Sequence, residues 1–206
     1  MRIACIHLPA FPLQVAAHSH PIAEGAAVVV VSPAPAPVVV AVSRAARAAG
    51  IAVGMAASSV RDHAPGCEVV TADPELERSV SRGLAEALGA IASEVDDGGR
   101  PRGAHHAVFA RVPTGVRGAA FGARAIEVLG RMGLVGRVGI ADDRFTAAVA
   151  ATGAHERDAV VSVPRGGSAA FLAPLPLSLL ELDPDVQHVL EVLGVRTLGA
   201  FAALPP

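Results

Sequence analysis

Three histidines, His7, His105 and His106, two arginines one helical turn apart, Arg44 and Arg47, and two acidic pairs, Asp96-Asp97 and Asp142-Asp143, are the side chains whose types and spacing bear on chemistry. Imidazoles ligate zinc when several of them converge in a tetrahedral set. His105 and His106 are adjacent at the head of the apolar run Ala107-Val108-Phe109, and neighbouring strand residues point to opposite faces, so both cannot reach His7. Neither Cys5 nor Cys67 is placed to complete a tetrahedron, so packed or solvated histidines are expected, and no metal or other cofactor.

Residues three apart share a helix face, and guanidinium suits phosphate oxygens. Arg44 and Arg47 could therefore meet a phosphate of a nucleotide or of DNA, with a plain solvated face as the alternative. Asp142-Asp143-Arg144 reads as a helix start, where carboxylates cap free amides and complement the helix dipole. Asp96-Asp97 runs into Gly98-Gly99 and reads as a turn.

The elements that must position these groups alternate between strand and helix patterns. Arg2 to Leu8 is a short apolar strand stopped by Pro9, and Phe11 to Ala17 has helical spacing. Val28 to Val31 and Val38 to Val42 are two buried valine strands, joined across a turn with three prolines. Ser43 caps a short helix over Arg44 to Ala49 that Gly50 ends, and Ala56 to His63 forms another. Asp73 as cap and Pro74 at the first helical position start a long helix to about Ile91. A polar turn over Asp96 to Gly103 precedes a strand at Ala107 to Val112 and an amphipathic helix from Gly118 to Met132, ended by Gly133. Arg137 to Ala141 is a strand feeding a helix from Asp142 to Ala151, and Val160 to Val163 is the last strand. From Ala169 onward only short helical pieces separated by prolines are expected, a small helical subdomain beginning near residue 166.

Composition bounds the function classes. With 52% hydrophobic residues in 206, the chain can bury one sizeable core or two to three small ones. A net charge of -2 shows no basic excess, so any DNA-binding face must be local. Two cysteines without metal or disulfide spacing suit a reducing cytoplasm. The N-terminal apolar run is too short for a signal peptide, and the longest apolar stretch is broken by Pro33, Pro35 and Pro37, so no membrane span is expected.

The order of these elements, with Ala4-Cys5-Ile6-His7-Leu8-Pro9-Ala10-Phe11, Ala41-Val42-Ser43-Arg44-Ala45-Ala46-Arg47-Ala48-Ala49-Gly50, Val138-Gly139-Ile140-Ala141 and Leu193-Gly194-Val195-Arg196-Thr197-Leu198-Gly199, resembles the Y-family (UmuC-like) translesion DNA polymerases. It is most similar to their ImuB-type branch. The resemblance implies a mixed α+β and α/β fold: a palm over residues 1–10 and 75–165, fingers over 11–74 and a partial, helix-hairpin-helix-like thumb over 166–206. Relatives continue into a little finger and a clamp-binding tail, both expected to be absent here.

In active members carboxylates on two palm strands hold two magnesium ions for in-line phosphoryl transfer. The resemblance places those acids at His7 and at about His105-His106, with Pro9 and Pro12 where an acid and an aromatic sugar gate would stand. Imidazole is a poor ligand for magnesium, so a silent polymerase site is expected, as the ImuB-type branch implies. It further implies a role in error-prone bypass of DNA damage, with damaged or primer-template DNA, an error-prone C-family polymerase, the sliding clamp and an accessory mutagenesis protein as partners. Arg47 falls where relatives use an arginine against the triphosphate, with Arg44 in place of a tyrosine; Arg196 lies in the turn that would touch a DNA phosphate. Two alternatives stay open: a polymerase using Asp96, Asp97, Asp142 or Asp143 with magnesium, and a protein-interaction module without affinity for nucleic acid.

Overall fold

Strand β1 (Ile3–Leu8) is buried from Ala4 to Leu8 and lies at the centre of the larger of two sheets. The computed structural model describes residues 1–97, 105–153, 158–180 and 182–204. On one side β1 pairs antiparallel with β6 (His106–Arg111), and beyond it lies β5 (Glu94–Asp96); on the other it pairs antiparallel with β7 (Arg137–Ala141), followed by a parallel β8 (Val160–Ser162). Side chains alternate along β1. Ala4, Ile6 and Leu8 join a core with Phe11, Leu84, Leu88, Phe121 and Leu129, supplied by α1 (Phe11–Ser19), α4 (Pro74–Gly89) and α5 (Gly118–Arg131). Each fully buried side chain of this size contributes about 1.5–3 kcal/mol. Cys5 faces the opposite layer, where α6 (Arg144–Thr152) packs through Ala147, Ala150 and Ala151.

The smaller sheet is built on β2 (Val28–Val31), buried along its whole length, between antiparallel β3 (Val39–Val42) and parallel β4 (Glu68–Thr71). Valine's branched Cβ favours this pleated, buried setting. Val38, expected inside the third strand, forms an isolated bridge to Ala56 instead. Ser43 caps α2 (Arg44–Ala48) by accepting from the Ala46 amide, and Gly50 follows with φ +88°. The helix expected over Ala56 to His63 divides into a 3₁₀ turn (Ala57–Ser59) and α3 (Val60–His63).

Asp73 caps α4 as expected, accepting from Glu75 and Leu76. Asp96 closes an edge strand rather than opening a turn, while residues 98–103 of that expected turn lie outside the described residues. The helix expected from Asp142 begins at Arg144 with Asp143 as its cap. The C-terminal part is helical: α7 (Ser168–Leu172), a 3₁₀ turn (Leu177–Leu179), α8 (Pro184–Val192) and α9 (Leu198–Ala202), around Leu177, Leu190, Val195 and Leu198. Among the described residues no helix is long and apolar enough to cross a membrane.

Candidate functional site

The register of the large sheet brings His7 and His105 together and separates His106 from both. His7 lies opposite Ala107 on β6 and opposite Arg137 on β7, so Arg137 shares its face. His105, two residues before Ala107, places its ring 5.1 Å from that of His7. Burial, then the charges of His105 and Arg137, pull the His7 pKa down to about 4, so the ring is neutral near pH 7. Its Nδ1 is buried without a hydrogen-bond partner.

His106 turns to the other face. Its ring packs 4.7 Å from that of Phe11, and Nε2 meets the Ser81 hydroxyl of α4 at 2.7 Å. Burial lowers its pKa, against a smaller opposing effect of Asp97, and its Nδ1 is also orphaned. His106 forms part of a cleft of about 880 Å³ between the two sheets. Phe11, Pro12, Ser81, Arg78 and Arg82 line one side of it, Ser32, Pro33 and Val40 the other. Sequence reasoning placed Pro12 and His106 near a site but missed Arg78 and Arg82, two cations one helical turn apart on α4. That spacing was the signal that could have found them.

Three of the four acids, Asp96, Asp142 and Asp143, are committed to ion pairs and caps. Asp142 accepts from the Gly166 amide at 2.7 Å and from Arg2 at 3.2 Å, and these bonds hold its carboxyl below the usual range. Asp143 is half of a cap: burial would raise its pKa, but bonds from the Thr146 amide, the Thr146 hydroxyl and Ser168 outweigh that and lower it. Asp96 pairs with Arg144 at 2.6 Å, and the Arg144 guanidinium lies 4.1 Å over the Phe109 ring. Asp97 lines the cleft.

Arg44 and Arg47 are both exposed on α2, and Arg196 is exposed beside Glu191 in a small cavity of about 290 Å³ with Pro176 and Ser178. None of the three lines the large cleft. The structure therefore gathers the sequence-derived candidates into separate places: His7 with His105, His106 in the cleft, the α2 pair, and Arg196.

The magnesium ions that the polymerase resemblance implies need clustered hard oxygen donors. The position offers two imidazoles and a guanidinium, and among the described residues no group of three or more His, Cys, Asp or Glu is arranged to hold a metal ion. The residues present do not fit that ion.

Residues 6–99 match the impB/mucB/samB family, and the fold is that of Y-family polymerase domains. The chain superimposes along 100% of its length on DinB from Sulfolobus solfataricus, with a TM-score of 0.81 at 18% identity, and on an insertion ternary complex of Dbh DNA polymerase, with 0.84 at 17%. It spans 61% of each of those chains. In sequence, 80 residues are 34% identical to DNA polymerase IV of Dehalococcoides mccartyi strain CBDB1, 38% of this chain and 20% of that relative.

Proposed function

We propose that this chain is a Y-family-like domain of ImuB type that engages primer-template DNA without adding nucleotides, as an adaptor in error-prone bypass of DNA damage. The observation that carries the reading is the His7–His105 pair with Arg137 opposite His7, on the strands where the resemblance calls for metal-binding acids. A cation brought there meets a guanidinium and no carboxylate. The engagement of Asp96, Asp142 and Asp143 in ion pairs and caps counts further against the rival set of catalytic acids. The likeness to DNA-bound polymerase structures supports DNA as the partner, with Arg44, Arg47 and Arg196 as exposed phosphate contacts. The error-prone C-family polymerase, the sliding clamp and the accessory mutagenesis protein complete the assembly that the ImuB-type reading implies.

The test is fluorescence anisotropy on a labelled primer-template duplex over a salt series, run beside magnesium-dependent primer extension. Binding should weaken with salt and in the triple variant Arg44→Ala, Arg47→Ala, Arg196→Ala, because phosphate contacts release counterions. No extension product should form. Extension lost on replacing Asp97 by Asn would establish the active-polymerase alternative, and absence of binding at low salt would leave the protein-interaction module.

A further inference from the structure

The charge inversion that makes this position unfit for a divalent cation gives it the chemistry of an anion site. His7 and Arg137 are cross-strand partners with side chains on one face, and Ala107, the partner on the other side, carries only a methyl. That leaves room on the face for the His105 ring, 5.1 Å from His7. Three nitrogen-bearing side chains from β1, β7 and the segment entering β6 thus converge on one patch.

None of the three has an anionic partner among the described residues. Arg137 makes no ion pair among the described residues, unlike Arg2, Arg111 and Arg144 of the same sheet layers. The acid that faces this layer, Asp96, is drawn to Arg144. His7 is only 8% exposed, and its Nδ1 is orphaned, which leaves Nε2 as the ring's polar outlet. Arg137 is half-buried and His105 exposed, so a ligand can reach this patch from solvent. A tetrahedral oxyanion supplies acceptors for the guanidinium fork and for both rings at once, and charge-assisted bonds of that kind are the strong ones.

We propose that His7, His105 and Arg137 form a metal-free phosphate-binding site, in the position where a cation-dependent relative would hold its ions. The inference rests on the reading of a silent, DNA-engaging domain and adds what the silent site holds. Its ligand is a phosphate group, either of a nucleotide or of the nucleic-acid backbone.

The experiment follows the histidine rings of the full chain by NMR in EDTA, with inorganic phosphate as the first probe, then dATP, then a primer-template duplex. Saturable shifts of His7 and His105, with exposed His18 and His63 unmoved, are expected for inorganic phosphate at a Kd on the order of 1 mM. The His7 titration midpoint should rise by about one unit, roughly a tenfold gain in proton affinity, because the bound anion offsets Arg137 and His105, the charged groups that face the ring. Arg137→Gln should abolish both effects while leaving His7 observable, so the test does not depend on a His7 variant folding. Effects with dATP but not with duplex assign the site to nucleotide, and the converse to backbone. Shifts absent, or shared equally by His18 and His63, overturn the proposal. DNA binding by anisotropy with His7 unmoved by phosphate, dATP and duplex alike would overturn it too, yet leave the DNA-engaging reading intact.

Discussion

The ring of His106 meets the hydroxyl of Ser81 at 2.7 Å, joining strand β6 to helix α4 in the lining of the cleft. Because His106 Nδ1 has no partner, this is, among the described residues, the one hydrogen bond of a ring that is only 3% exposed. Ser81→Ala would remove the partner of Nε2 from a ring whose Nδ1 is already buried and unsatisfied, at a cost of about 1–3 kcal/mol. Urea unfolding should show a lower midpoint with an unchanged slope. A midpoint equal to that of the parent would mean that the bond contributes nothing net.

Acid should destabilise the protein through His7. Its folded pKa, about 4, lies below the ordinary histidine value of 6.5, so the unfolded chain binds the extra proton first as pH falls. The stability tied to the neutral ring is complete above pH 6.5 and is lost progressively as pH falls through about 4. The full loss is on the order of 3 kcal/mol. His106, also lowered by burial, adds in the same direction. Thermal unfolding between pH 7 and pH 4 should therefore show a steeper loss for the parent than for His7→Gln, and parallel curves would refute the assignment.

Gly139 lies opposite Cys5 in the register, directly beneath α6. A Cβ there would overlap the Ala147 carbonyl and the Ala151 amide and sit 2.9 Å from the Ala150 carbonyl carbon, all of them backbone. Helix and sheet approach this closely because the contact is made of Gly139, Cys5 and three alanines. Gly139→Ala must push α6 outward, and a loss of about 3 kcal/mol or more is expected, at the upper end of overpacking effects. Soluble yield and Tm of this variant against a surface control such as Gly89→Ala, where an added Cβ meets nothing within 4 Å, measure it.

Those residues also show what could be read from sequence and what could not. Local chemistry was legible: the Ser43 and Asp73 caps, the glycines that end helices and the short apolar run of β1 each depend on a few neighbouring residues. The opposite orientations of His105 and His106 followed from strand periodicity alone. The edge strand Glu94–Asp96 escaped because three residues with two acids carry no alternation, and its pairing lies with Arg111 to Phe109. Arg137 as the partner of His7 is a matter of register across 130 positions of chain, which no local pattern encodes. The cleft is equally non-local, since Val40 and Arg82 meet only when the two sheets are placed.

Arg2 is the buried cation that sequence reading passed over as the start of a strand. At 9% exposure it donates to the Val163 carbonyl at 2.6 Å, the Ser162 hydroxyl at 3.1 Å, Asp142 at 3.2 Å and the Ile140 carbonyl at 3.3 Å. The guanidinium thus ties the N-terminus to the ends of β7 and β8 and to the carboxylate just before α6. Its planar fork serves several acceptors at fixed angles, which an ammonium cannot reproduce. Arg2→Ala strands those acceptors and should cost about 3 kcal/mol, and Arg2→Lys should recover less than half of it. Asp142→Asn, which keeps an acceptor for Arg2 in a partly exposed place, should cost markedly less than Arg2→Ala. Equal losses from Arg2→Ala and Asp142→Asn would show that the ion pair, and not the bonds to the β7 and β8 strand ends, carries the effect.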